Sequence, residues 1–305
     1  FIENYMGIMK GGKDIMVYKL LMINMDGALL SSKGKLNPVT KESLEYVANK
    51  GVEVALITSN NYDHAFRTGK ALKCNPHIIA HQGGFILEDL QRPIYVKRIP
   101  EETTIDIVRF LENISSHIRL IHEDVTIGNR EDLPSSLFAR IKWTPGDSGI
   151  YAQQFVDSLY DYLLKTPLSP LQIDVYIQHE KERKDTRAGL MAMFENVEIQ
   201  ESFPGKLTLI PKSVAKTTAA RYLAKSRGIA LDEMVIIGCE PDEEELVRHA
   251  GLGVAVSNAA DEVKRRAKWL TRTNDELGVA YLIKEVFRRQ HPIGFLKKMN
   301  IKVDR

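Results

Sequence analysis

An apolar run over residues 18–23 breaks at Asn24-Met25-Asp26-Gly27 into a tight, glycine-containing turn. Its two polar side chains differ in what they can do. Asp26 brings a carboxylate, whereas Asn24 brings an amide, whose oxygen is a weak nucleophile and adds no negative charge to a metal site. Three other places bear groups capable of chemistry. Thr58 ends a second apolar run and is followed by Ser59, Asn60 and Asn61, good capping residues for a helix beginning there. Lys216 opens a helical stretch, and taken alone it reads as a surface lysine. The run Gly238-Cys239-Glu240-Pro241-Asp242-Glu243 follows a third apolar stretch. Cys74 and Cys239 are far apart and lack metal-ligand spacing, so Cys239 reads as a small core hydrophobe. His64, His77, His81, His122 and His249 show neither triad nor metal spacing and read as structural.

The elements that must position these groups follow an alternating grammar. Asn37 and Pro38 supply a helix N-cap and first-turn proline, and helical spacing runs over 39–50 before Gly51. Strands are predicted at 52–58 and 77–80, with a helix between them reaching about residue 73. In the last third, helices are predicted over 213–227, 242–250, 261–270 and 277–289, with buried strands over 234–238 and 252–256. Continuous apolar strands alternating with helices call for a parallel sheet covered on both faces. The fold class is therefore α/β, doubly wound, with ligands bound beyond the carboxyl ends of the strands. From about 85 to 205 the texture changes. Strands are predicted at 94–99, 119–122, 136–143 and 172–177, and helices at 102–115, 149–164 and 181–196. Because the α/β pattern resumes afterwards, this reads as an inserted α+β domain within a core of 17–84 and 206–290. Residues 1–16 read as an extension and 291–305 as a tail.

The 305 residues are 44% hydrophobic and 27% charged, which suits a globular chain with a sizeable core. A net charge of +2, from 42 basic and 40 acidic residues, leaves no electrostatic footprint for nucleic acid or an anionic membrane. No apolar run approaches the roughly 20 residues that span a bilayer, and none reads as a secretory signal. Together with the cysteine usage, this makes a cytoplasmic location the expectation.

These segments resemble the haloacid dehalogenase (HAD) superfamily, in its Cof-type phosphatase branch, over nearly everything from Tyr18 to Arg289. That family's first motif is a strand followed by Asp-x-Asp-Gly-Thr-Leu, and here it reads Asn24-Met25-Asp26-Gly27-Ala28-Leu29. The resemblance implies that Asn24 stands at the position of the nucleophilic Asp, that Asp26 stands at the general acid/base position, and that Ala28 has replaced the Thr. Thr58 matches the second motif, so Thr58, Ser59, Asn60 and the helix N-terminus would bind phosphate. Lys216 matches the third-motif lysine, offsetting charge on phosphate and nucleophile. The fourth motif, Gly-Asp-x-x-Asn-Asp, aligns with 238–243 and places Cys239 at a metal-ligand position.

The resemblance implies a Mg²⁺ cofactor, yet Asn24 and Cys239 remove two anionic oxygens from its ligand set, and a thiolate suits a hard cation poorly. The remaining metal candidates are Asn24, Asp26, Asp242 and Glu243, with Glu240 a further acid able to reach inward; some cation affinity is left open, and strong Mg²⁺ binding is not expected. Loss of those carboxylates should also lower repulsion toward a phosphate without metal. The leading expectation is a degenerate phosphatase that binds a small phosphorylated metabolite without efficient turnover. An active Mg²⁺-dependent phosphatase of sugar phosphates, working through a rearranged site, is the alternative, and an interaction protein without a ligand is the third. No residue points to a protein partner.

Overall fold

The computed structural model describes residues 17–123, 125–129, 153–202 and 205–293. The strand expected at 136–143 and the extension 1–16 lie outside the described residues, as does most of the tail.

The chain opens with β1 (Leu20–Asn24), α1 (Pro38–Asn49), β2 (Glu53–Ile57), α2 (Tyr62–Ala71) and β3 (His77–Ala80), then a hairpin of β4 (Phe85–Glu88) and β5 (Arg92–Val96). Helix α1 starts where expected, because the Asn37 side chain accepts a hydrogen bond from the Val39 N–H and Pro38 needs no donor there. It buries Thr40, Leu44 and Val47, a spacing that presents one face to the sheet. A second region contains α3 (Glu101–Leu111), β6 (His117–Ile121), β7 (Thr126–Asn129), β8 (Gln153–Val156), α4 (Leu159–Lys165), β9 (Gln172–Tyr176), α5 (Glu180–Met193), β10 (Val197–Ser202) and β11 (Lys206–Pro211). The chain then returns through α6 (Lys216–Ser226), β12 (Met234–Gly238), α7 (Glu244–His249), β13 (Leu252–Val256), α8 (Asp261–Arg266), β14 (Trp269–Thr271) and α9 (Gly278–Phe287).

Two sheets result. The larger has the order β14-β13-β12-β1-β2-β3-β4-β5; it is parallel except for the antiparallel β3–β4 and β4–β5 pairs. Strands β1, β12 and β13 are buried along their whole length, as a parallel sheet covered on both faces requires. The smaller sheet has the order β10-β11-β9-β6-β7-β8. One of its faces, carrying Ile118, Leu120, Ile173, Val175, Leu207 and Leu209, packs with residues of α3, α4 and α5 in a separate apolar cluster. The opposite face carries Arg119, Asp174 and Thr208, with Arg119 and Thr208 on either side of Asp174 in register.

The α/β core is as the sequence predicts, but several boundaries move. Strands β4 and β5, predicted as part of the insertion, extend the edge of the larger sheet, while β11, predicted as part of the core, belongs to the smaller one. Of the helix expected over 149–164, residues 149–152 lie outside the described residues, and the rest forms a strand, β8, followed by the short α4. The helix expected over 261–270 stops at Arg266, because Trp269 to Thr271 pair with Val254 to Val256 and complete the sheet edge. Helix α6 starts at Lys216 rather than residue 213; Ser213 has a φ of 78°, outside the helical region.

The two sheets meet at His81. It is fully buried and takes a left-handed φ of 50°; its Nε2 accepts the Tyr62 N–H at 3.1 Å, and Gln172 and Asp174 of β9 lie beside it. Burial pushes His81 down to about 4. Burial, with the Arg119 charge adding to it, does the same to His117. Both start near 6.5, so between about 6.5 and 4 the unfolded chain binds the additional protons. Stability is then intact above about 6.5 and falls toward 4, by at most about 1.4 kcal/mol per pH unit for each histidine. Asp242 and Glu243, raised by burial, act in the opposite sense. Thermal midpoints measured from pH 7.5 to 4.5 should therefore decline, and decline less steeply in His117→Phe. Equal slopes in the two proteins would remove His117 from the account.

Candidate active site

Neighbouring strand ends build the site. In the parallel register Ile23 pairs with Ile237 and Asn24 with Ile57, so the chain leaves β12, β1 and β2 side by side at Cys239, Asn24 and Thr58. After β1 comes a single π-helical turn, Met25–Leu29, in which Asn24 Oδ1 accepts the Gly27 N–H at 2.8 Å. Such wide turns cluster at functional sites. Gly27 is required by close approach, since a Cβ there would lie 2.3 Å from Cys239 Sγ. The Asn258 amide donates to the Gly27 carbonyl at 2.9 Å and holds the turn from the other side.

The other half of the Asn24 amide decides the electrostatics. Nδ2 donates to Glu243 Oε1 at 2.7 Å, and the same oxygen accepts from Lys216 Nζ at 3.0 Å. Glu243 Oε2 accepts the backbone N–H groups of Cys239, at 2.8 Å, and Glu240, at 3.1 Å. Burial pushes this carboxyl above its ordinary range. All four contacts donate N–H, however, and a protonated Glu243 would have nothing to donate to, so the group is held as a carboxylate.

Lys216 lies at the start of α6 with its side chain fully buried. Besides Glu243 it pairs with Glu240 Oε2 and, at 3.1 Å, with Asp242 Oδ1. Burial disfavours its charge, but the carboxylates of Glu243, Glu240 and Asp242 outweigh that and hold the ammonium well above the ordinary lysine range. On the opposite wall the Thr58 hydroxyl donates to Asp26 Oδ2 and accepts the Asn60 N–H at 3.0 Å, while His64 Nδ1 stands 3.9 Å from Asp26 Oδ1. The cap of α2 is Asn61, which accepts the His64 N–H at 3.4 Å. The Ser59 hydroxyl donates to Glu240 Oε2 at 3.0 Å, linking this wall to Lys216.

The donors present fit Mg²⁺ poorly. Asn24 Oδ1 is engaged by Gly27, and both Glu243 oxygens are taken by N–H groups. Burial, and then the carboxylates of Glu243 and Glu240, push the Cys239 thiol up to about 11, so it is a neutral sulfur beside a cation that prefers oxygen. Oxygens of Glu240, Asp242 and Glu243 lie within 4.8 Å of one another, but the Lys216 ammonium bonds to all three and supplies their positive charge.

Of the site residues predicted from the sequence, Asn24, Asp242 and Glu243 gather with Lys216 on one wall, and Asp26 and Asn60 gather with Thr58 on the other, with Ser59 between the two walls. Asp242 and Glu243 are partners of Lys216. Asp26 bonds to Thr58 and stands outside that acidic group. Lys216 is no surface lysine. The expected drop in repulsion toward phosphate does not hold, because three carboxylates surround the cation meant to receive it. Cys239 packs at the core margin, as predicted, and against Gly27. Sequence reasoning passed over Asn258 and weighed Glu240 only as an acid able to reach inward toward a cation, whereas it pairs with Lys216 and Ser59; the only available signal was an acidic residue in an otherwise motif-like turn. Two open grooves, one between α1 and α9 and one between α3 and α5, lie away from these groups.

Comparison with known proteins identifies the family. A Bacillus subtilis protein named stress response protein YhaX is 40% identical over 284 residues, covering 93% of this chain and 98% of its own. Phosphatase YwpJ of the same organism is 25% identical over 285 residues, covering 88% and 99%. The crystal structure of a haloacid dehalogenase-like hydrolase from Bacteroides thetaiotaomicron superposes with a TM-score of 0.77 at 21% identity, covering 88% of this chain and all of that one. Residues 21–283 match the haloacid dehalogenase-like hydrolase family itself. With its Rossmann-like sheet, its second sheet between β5 and α6, and its site at the strand ends, this chain belongs to the haloacid dehalogenase-like hydrolase family.

Proposed function

We propose that this chain has lost the aspartyl-phosphate chemistry of its family and retains recognition of a small phosphorylated metabolite. The hydrogen bond from Asn24 Nδ2 to Glu243 carries the reading. Where a nucleophilic carboxylate and a cation would meet, an amide donates directly to an acid, leaving neither an attacking oxygen nor an open coordination position. Lys216, the Ser59 hydroxyl and the backbone after Thr58 remain as anion-recognition groups, and Asp26 remains beside them. In this reading the smaller sheet and its helices act as the cap that selects the ligand, and the family's Mg²⁺ is dispensable. The relative at 40% identity is named for a stress response and YwpJ for phosphatase activity, so the loss of chemistry is compatible with the former. A cytoplasmic site of action belongs to the same proposal: Cys74 and Cys239 are free thiols, and among the described residues no helix is long and apolar enough to cross a membrane.

Assays with p-nitrophenyl phosphate and a panel of sugar phosphates in Mg²⁺ should give no turnover above that of Asp26→Ala. Turnover near 1 s⁻¹, within the ordinary enzyme range, and abolished by Asp26→Ala, would instead establish a working phosphatase with a rearranged site. Calorimetric titration of the same sugar phosphates in EDTA should show binding.

A further inference from the structure

We propose that the Glu240 carboxylate is a built-in occupant of the anion site, an autoinhibitory contact that a ligand phosphate must displace. This deepens the phosphate-binding reading above and rests on it. A single oxygen, Glu240 Oε2, accepts from both the Ser59 hydroxyl, at 3.0 Å, and Lys216 Nζ. The two donors come from separate elements, the loop after β2 and the first residue of α6. Their convergence on one oxygen marks where an anion is held, and the chain fills that place with its own acid.

The arrangement is built to open. The Glu240 backbone is fixed: its N–H donates to Glu243 Oε2 at 3.1 Å, its carbonyl accepts the Glu243 N–H at 2.9 Å, and Pro241 follows it. Only side-chain torsions then place the carboxylate, and the side chain is 35% exposed, so a rotamer change carries it to water without backbone movement. Lys216 is not stranded by that movement, because Glu243, 1% exposed and held by three further donors, stays with it. Asp242, 49% exposed, is free to follow Glu240 outward. In the closed state Glu240, Asp242 and Glu243 outnumber Lys216, which raises the threshold for any incoming anion. Removing Glu240 deletes the nearest like charge and the direct competitor at once.

Calorimetric titration with inorganic phosphate in EDTA tests this on the full chain, Glu240→Ala, Glu240→Gln and Glu240→Ala/Ser59→Ala, with folding checked by circular dichroism. Glu240→Ala should bind phosphate at least tenfold more tightly than the unaltered protein, a gain of about 1.4 kcal/mol. Glu240→Gln, which keeps the side-chain length and an acceptor for Ser59, should fall between the two, and it supplies the comparison if the alanine variant melts. The double variant should lose most of the gain. Affinities within twofold of the unaltered protein for both Glu240 variants would overturn the contact while leaving phosphate binding in place. A gain that survives loss of Ser59 would put the anion elsewhere and overturn it too. No phosphate binding by any variant would overturn both this inference and the function on which it rests.

Discussion

Asn24→Asp is expected to lower the free energy of unfolding at neutral pH by about 3–5 kcal/mol, the range for leaving a buried charge uncompensated. One oxygen of the new carboxylate still accepts from Gly27. The other replaces the Nδ2 donor and faces Glu243 Oε1 across 2.7 Å, with Asn24 and Glu243 both at about full burial. Two such carboxylates share a proton, so the folded pKa of the pair rises above its unfolded value. The folded state then binds more protons, and the deficit shrinks as the pH is lowered from 7.5 toward 5.5. A divalent cation should relieve the same repulsion. Asn24→Asp/Cys239→Asp, which restores two oxygen donors, should gain about 2.7 kcal/mol at a Mg²⁺ concentration of 100 times its Kd, where the unaltered protein gains nothing. Urea unfolding in EDTA and in Mg²⁺ measures both effects. A single variant as stable as the parent in EDTA would show that the amide-to-acid hydrogen bond has no energetic consequence.

The second large effect belongs to Lys216→Met, which keeps the apolar stem and removes the charge. A loss of about 3–5 kcal/mol is expected, because breaking a buried pair from one side leaves the other charge uncompensated. The cost concentrates in Glu243, since the side chains of Glu240 and Asp242 are 35% and 49% exposed and water screens them. The sign of the pH response follows. Without the ammonium, burial and the Glu240 charge outweigh the three remaining N–H donors to the Glu243 carboxyl, its folded pKa rises further above the unfolded value, and stability rises as pH falls. Unfolding free energies at pH 7.5 and 5.5 should converge with those of the parent at the lower value. A variant that loses under 1 kcal/mol at pH 7.5, with no recovery in acid, would place Lys216 outside the energetic centre of the site.

These variants address the side chains that were hardest to interpret before folding. The strands that lead to Asn24, Thr58 and Cys239 were legible as apolar runs, because a parallel strand covered on both faces must be apolar over its buried length. Helix α1 was legible from Asn37 and Pro38, whose signals act within one turn. Where local signals fail, sheet pairing takes over. Residues after Arg266 read as a continuing helix, yet they form β14 because the edge of β13 offers Val254 to Val256 as partners. Strand β11 was assigned to the core although β9 and β10 flank it in the smaller sheet, for an apolar run does not record which strand it will pair with.

The same division runs through the site. The sequence alone determined that Asn24 could not attack phosphorus, since that is a property of an amide wherever it sits, and that Thr58 and Lys216 were the groups to follow. Only the tertiary structure decided that Lys216 is spoken for by three acids, that Asn24 completes the shell of Glu243, and that Glu240 reaches across to Ser59. Lys216 and Ser59 stand far from Glu240 along the chain, and hydrogen bonds act over about 3 Å of space without regard to chain separation. Which donors meet on one carboxylate oxygen is therefore fixed by the strand register and the turns that follow it.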